Sequence, residues 1–159
     1  MNSDFIRDAI RKKFNNYRQY VVVDEVSVTT GWDGMSIPRR IDMIVIDCFE
    51  SNHYAIEGIE IKISKSDLMR ELKDPEKHEV FFYNIDLYTL AAPADLLKEC
   101  KSLLPDAWGM LAIYEDGTAK YLRKPKVINF TGFYTDKISK GFFASCIRRI
   151  NNCIGGNTQ

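Results

Sequence analysis

The chain has 159 residues, 45% of them hydrophobic and 28% charged. That length and balance fit one globular domain (1–159) with its own core, and exclude disordered and collagen-like classes. No apolar run approaches the roughly 20 residues of a transmembrane helix. The net charge is zero, but it is unevenly spread. Residues 1–117 carry 14 Lys or Arg against 21 Asp or Glu, while residues 118–159 carry eight against one. The basic C-terminal part (about 118–153) suits a polyanion, or complements the acidic body (about 3–115). The first residues, MNSDFIRDAIRKKF, contain acids and no apolar h-region, which argues against a signal peptide. Cys48, Cys100, Cys146 and Cys153 form no CxxC pair and read as reduced, mostly packed thiols. Both observations lead us to expect a cytoplasmic protein.

In chain order, residues 3–17 predict an amphipathic helix. Ile6, Ile10, Phe14 and Tyr17 recur at helical spacing and Ser3 can cap the start. Residues 20–29, 39–48 and 54–63 are β-branched and aromatic and predict three strands. Their short links suggest an antiparallel meander. Ser64 to Lys73 predicts a helix, with serine at its start and Asp67 in its first turn. Pro75 suits the first turn of a further helix running toward Tyr83. A fourth strand follows at 84–91, a short helix at 93–103 and a fifth strand at 107–114. A turn at EDGT then leads into AKYLR. The last helix is expected over 135–153, where Ile138, Phe142, Cys146 and Ile150 fall at steps of four. The leading order is αβββαβ. This is an α/β sandwich with a mixed central sheet, and no G-x-G-x-x-G or P-loop is present.

Chemistry is signalled by charges inside apolar strands. In Ile59-Glu60-Ile61-Lys62-Ile63, alternation puts Glu60 and Lys62 on one face and the isoleucines on the other. Asp42 sits among Ile41, Met43, Ile44, Val45 and Ile46 in the preceding strand. Such charges are costly unless paired or bound to metal. Neighbouring strands can bring Asp42 and Glu60 together, and a divalent cation relieves their repulsion. Oxygen donors without His or Cys favour Mg²⁺ or Mn²⁺. The set suits metal-assisted phosphodiester hydrolysis, with Lys62 as a fixed positive charge beside the phosphate. A solvated strand face is the plainer reading of Glu-x-Lys alone.

Asp42, followed after 17 residues by Glu60-Ile61-Lys62, resembles the signature of the PD-(D/E)XK nuclease superfamily. Four segments together resemble its MmcB-like DNA-repair branch. They are DEVSV at 24–28, RRID at 39–42, IEIKIS at 59–64 followed by Asp67, and LYTLAAP at 87–93. The resemblance implies a restriction-endonuclease-like fold and a divalent-metal site. It implies Asp42 and Glu60 as metal ligands, Lys62 as catalytic lysine and Glu25 as a third acid. Asp4 and Asp8 on the first helix are alternatives for that third position. The tryptophan and tyrosine usual in the helix after the motif are absent here. The last 40 or so residues have no counterpart in the branch.

Candidate nucleic-acid contacts are Arg40, which alternation sends to the face of Asp42, and Arg39 beside it. Ser64 and Lys65 open the helix after the motif; Ser64 reads as its cap, and the helix start can hold a phosphate. Trp32 can stack on a base or pack on its own hairpin. Arg123, Lys124 and Lys126 interleave with Phe130, Phe133 and Tyr134, a pattern suited to single strands or DNA ends. His53 and His78 stand alone and carry no assignment. The expectation is a Mg²⁺-dependent deoxyribonuclease of DNA repair, recombination or mobile elements, as a homodimer or within a larger repair complex. The alternatives are a catalytically silent nucleic-acid-binding module and a protein-interaction factor.

Overall fold

In the computed structural model, residues 1–27, 40–73, 81–82 and 84–128 are described, with 143, 146, 147, 149 and 150 from the C-terminal part. The predicted helix at Pro75 and residues Trp32, Arg39, His78, Phe130, Phe133, Tyr134, Ile138, Phe142 and Cys153 lie outside them.

Helix α1 spans Ser3–Lys13. Its cap is Asn2 rather than Ser3, because the Asn2 side-chain Oδ1 accepts from the Phe5 N–H at 2.9 Å. The helix ends four residues earlier than expected. Phe14 closes it as the last buried apolar residue, and Tyr17 is 90% exposed. Strands β1 (Tyr20–Ser27), β2 (Arg40–Asp47) and β3 (Ile56–Ile61) form the expected antiparallel meander. Helix α2 (Lys65–Leu72) is capped by Ser64, whose hydroxyl accepts from the Asp67 N–H at 3.2 Å. The chain then crosses to β4 (Leu87–Pro93), parallel to β3. Helix α3 (Ala94–Cys100) leads to β5 (Gly109–Ile113), parallel to β4. Strand β6 (Ala119–Arg123) pairs antiparallel with β5. The sheet order among the described residues is β1-β2-β3-β4-β5-β6, a mixed sheet in an α/β fold.

Each face of the sheet buries a separate apolar layer. Ile6, Ala9, Ile10 and Phe14 of α1 pack on Met43, Val45, Ile59, Ile61 and Leu111. Leu68 of α2 and Leu97 of α3 pack on the opposite face with Val23, Val26, Ile41, Ile44, Ile56 and Leu90. Gly58 is needed where these layers close on β3, since a Cβ there would collide with Ile41 and Ile85. The C-terminal part is not an appendage. Strand β6 completes the sheet, and Cys146, Ile128 and Ile150 join the layer of α2 and α3.

Alternation fails at one place. Val23 and Val26 face the same layer, as do their partners Ile44 and Ile41. Between them lie Asp24 and Glu25 on β1 and Asp42 on β2. Glu25 has a left-handed backbone, with φ of 51°. For a non-glycine residue this is uncommon, and it turns the strand out of its period of two.

Candidate active site

The acidic end of the sheet is built where β2 and β3 stop pairing. Their ladder ends at Met43 opposite Ile59, so Asp42 and Glu60 are next in register. The freed Ile61 N–H donates to Asp42 Oδ2 at 2.8 Å, which fixes that carboxylate between the two strands. The Lys62 N–H donates to the Ala91 carbonyl at 2.9 Å and so ties the motif to β4.

Glu60 and Lys62 share a face, as alternation requires. The Lys62 ammonium lies 2.9 Å from Glu60 Oε1 and 2.8 Å from Glu71 Oε2, and all three side chains are largely buried. Burial lowers the affinity of Lys62 for its proton, but Glu60 and Glu71 outweigh it and leave its pKa above the ordinary lysine value. Glu60 and Glu71 together thus favour the charged form of Lys62. Burial, then the charge of Asp42, and also Glu71 raise Glu60 above its ordinary value, against the opposing pull of Lys62. Burial and the same three acids (Glu60, Glu71 and Asp42) raise Tyr88 well above an ordinary tyrosine.

Glu71 is not visible in the motif. It follows Leu68 by three residues on the buried face of α2, and an acid on an apolar helical stripe is the signal that could have found it. Arg7 was missed too. From α1 it donates to the Asp42 carbonyl at 2.9 Å and reaches Asp42 Oδ1 at 3.5 Å. It also lies 4.0 Å from Asp24 and from Glu25.

Glu25 lies across from Asp42, since Asp24 opposite Met43 and Val26 opposite Ile41 flank it. Its carboxylate faces Arg40 at 3.1 Å and Arg149 at 3.8 Å. Asp8 pairs with Arg11 at 2.9 Å, and Asp4 lines the same cleft. Among the described residues no group of three or more His, Cys, Asp or Glu is arranged to hold a metal ion. The two carboxylates that could take a hard cation between them are Asp42 and Glu60, next in register and close enough for the charge of Asp42 to raise Glu60. Mg²⁺ suits two carboxylates because it keeps most of its waters.

The expected nucleic-acid contacts are scattered. Arg40 is exposed at the Glu25 pair, and Lys65 pairs with Glu99 on the surface at 2.5 Å. Arg123 is drawn into the body: it donates to the carbonyls of Trp108 at 2.9 Å and Pro105 at 2.7 Å and faces Asp106. Its guanidinium is committed to these carbonyls and to Asp106, and its side chain is only 19% exposed, so it is not an open phosphate contact. Lys124 and Lys126 are exposed beyond β6.

No family model matches the chain, and no curated protein matches it significantly. Among solved structures, it is similar to SPO1766, a protein of unknown function from Silicibacter pomeroyi, with a TM-score of 0.63 at 18% identity. The likeness covers 97% of this chain and 92% of that one. It concerns the fold alone. Among the described residues no helix is long and apolar enough to cross a membrane.

Proposed function

We propose that this protein is a metal-dependent nuclease with a restriction-endonuclease-like fold that hydrolyses DNA phosphodiester bonds. The observation that carries the reading is that Asp42 and Glu60 lie next in register beyond the end of the β2–β3 ladder, with the Lys62 ammonium 2.9 Å from Glu60. Asp42 and Glu60 would hold Mg²⁺ or Mn²⁺. When bound, such an ion neutralises phosphate charge and acidifies a water. Lys62 supplies a fixed positive charge for the pentacovalent phosphate. Glu71 positions Lys62 from the far side and keeps it charged. Lys124 and Lys126, exposed beyond β6, and Arg40, exposed at its pair with Glu25, would meet the backbone of a substrate at the surface. We assign the protein to the cytoplasm and to DNA repair, recombination or mobile-element biology, alone, as a homodimer or in a repair complex.

The test is cleavage of labelled single- and double-stranded DNA with Mg²⁺ or Mn²⁺ by wild type, Glu60→Gln and Lys62→Met. The expected result is cutting that EDTA abolishes and that each variant loses by about 100-fold or more. Mn²⁺ binding seen by calorimetry with no cutting of any DNA would remove the catalytic claim. A second reading, a silent nucleic-acid-binding module, is favoured by one observation: Lys62 already shares its ammonium between two internal carboxylates. That reading expects DNA binding that weakens steeply with salt and no turnover.

A further inference from the structure

The cations around the acidic end are unequal. Arg11, Arg40 and Arg149 approach it from outside with side chains 45%, 57% and 37% exposed, whereas the Arg7 side chain is only 15% exposed. Among the described residues Arg7 alone lies within 4.0 Å of all three acids that the disturbed alternation gathers, Asp24 and Glu25 on β1 and Asp42 on β2. Its position is fixed by the 2.9 Å bond to the Asp42 carbonyl. On Asp42 the two carboxylate oxygens differ. Oδ2 is held by the Ile61 N–H at 2.8 Å, while Oδ1 has the longer 3.5 Å contact with Arg7. Oδ1 is therefore the oxygen available to an incoming cation, and Arg7 stands next to it. A guanidinium cannot shed its charge to make room. Arg7, Asp24 and Glu25 also line an open cleft of about 530 Å³, through which a hydrated ion can reach them.

We propose that Arg7 is a built-in counter-cation of the acidic end, and that Arg7 and a divalent cation at Asp42 compete for the same carboxylate charge. The inference rests on the metal-site reading above. Without an ion, Arg7 keeps three clustered acids compatible with the fold. With an ion, two positive groups meet at Asp42 and each weakens the hold of the other by the same factor. Arg7 thereby sets the concentration of metal at which the site fills, and guards it against weakly bound cations. An alternative role, in which Arg7 merely orients Asp42 for the ion, predicts the opposite sign.

The experiment is calorimetric titration of Mn²⁺ into wild type, Arg7→Gln, Arg7→Lys and the double variant Arg7→Gln with Asp42→Asn. Melting curves with and without Mn²⁺ accompany it. Arg7→Gln should bind Mn²⁺ about fivefold more tightly or better. It should melt lower than wild type without metal and regain more on adding it. Arg7→Lys, which keeps the charge but not the fork, should stay near wild type and serves if the glutamine variant does not fold. The gain should vanish in the double variant. Equal or weaker binding by Arg7→Gln, or a gain that persists without Asp42, would overturn the proposal while leaving the metal site intact. Absence of Mn²⁺ binding in every protein, wild type included, would overturn the metal-site reading and this proposal with it.

Discussion

Strand β3 buries two glutamates three residues apart, and their surroundings are opposite in kind. Glu57 lies on the α1 side, near the start of the strand. It accepts from the Thr89 hydroxyl at 2.5 Å and from the Tyr121 hydroxyl at 2.7 and 2.8 Å. Glu60 lies on the other face near the strand's end, with Lys62 against it and Asp42 and Glu71 close enough to raise its pKa. Burial raises both carboxyls above the ordinary value. At Glu57, neutral donors from β4 and β6 close a knot across three strands, and a ligand has little to offer it. Around Glu60, Lys62 and the Arg7 guanidinium at Asp42 are set against three acids, Glu60, Glu71 and Asp42, a local excess of negative charge that a further cation relieves. Burial of an acid is therefore no sign of function by itself. The sign is what the fold places around it.

The comparison breaks hardest at Lys62. Lys62→Ala leaves Glu60 and Glu71 buried without their shared cation and should cost about 3–5 kcal/mol, measured by urea unfolding. A loss below about 1 kcal/mol would mean the buried ion pairs are not formed in solution. Gly58→Ala, between the two glutamates, should cost about 1–3 kcal/mol by forcing Ile41 and Ile85 apart. It should also lower Mn²⁺ affinity if the strand end shifts. Tyr121→Phe removes a donor to Glu57 and should cost about 1–3 kcal/mol with metal binding unchanged. An altered Mn²⁺ isotherm in that variant would erase the distinction between the two ends.

A pH series sharpens the contrast further. A carboxyl whose folded pKa is raised holds more protons in the native state than in the unfolded one. Its contribution to stability is present at low pH and declines as pH rises from the ordinary value of 4.5 through the raised one. Glu57→Gln and Glu60→Gln should each flatten this decline, seen as a smaller drop in stability between acid and neutral pH. Mn²⁺ should flatten it in wild type and in Glu57→Gln, but not in Glu60→Gln. The smallest effect is expected at the exposed pair of Lys65 and Glu99, where Lys65→Ala should change stability by less than about 1 kcal/mol.

Much of this was legible in the residues. The β-branched runs located β1 to β3, Ser64 marked the start of α2, and the period of two put Glu60 and Lys62 on one face. What escaped had specific causes. Strand ends were drawn too long because Ile63 and Asn84 look like strand residues, yet Ile63 is half exposed beyond β3 and the Asn84 N–H turns back to Phe81. The partners Arg7 and Glu71 come from helices whose rotation about the sheet no linear spacing records. Strict alternation does not anticipate the turn at Glu25, because a left-handed glutamate carries no sequence signature. Arg123 looked like a surface cation in a basic run, but the carbonyls of the 104–108 turn claim it.

The contact between Arg149 and Glu25 joins late chain to early chain. Synthesis on a ribosome runs from Asp24 and Asp42 toward Arg149, so the acids emerge long before this basic partner does. During that interval the acids have partners made close to them in the chain, Arg7 and Arg11 on α1 and Arg40 on β2. The pairs made by α1 and β2 therefore need only the early chain, whereas the Arg149 contact with Glu25 waits for the C-terminal part.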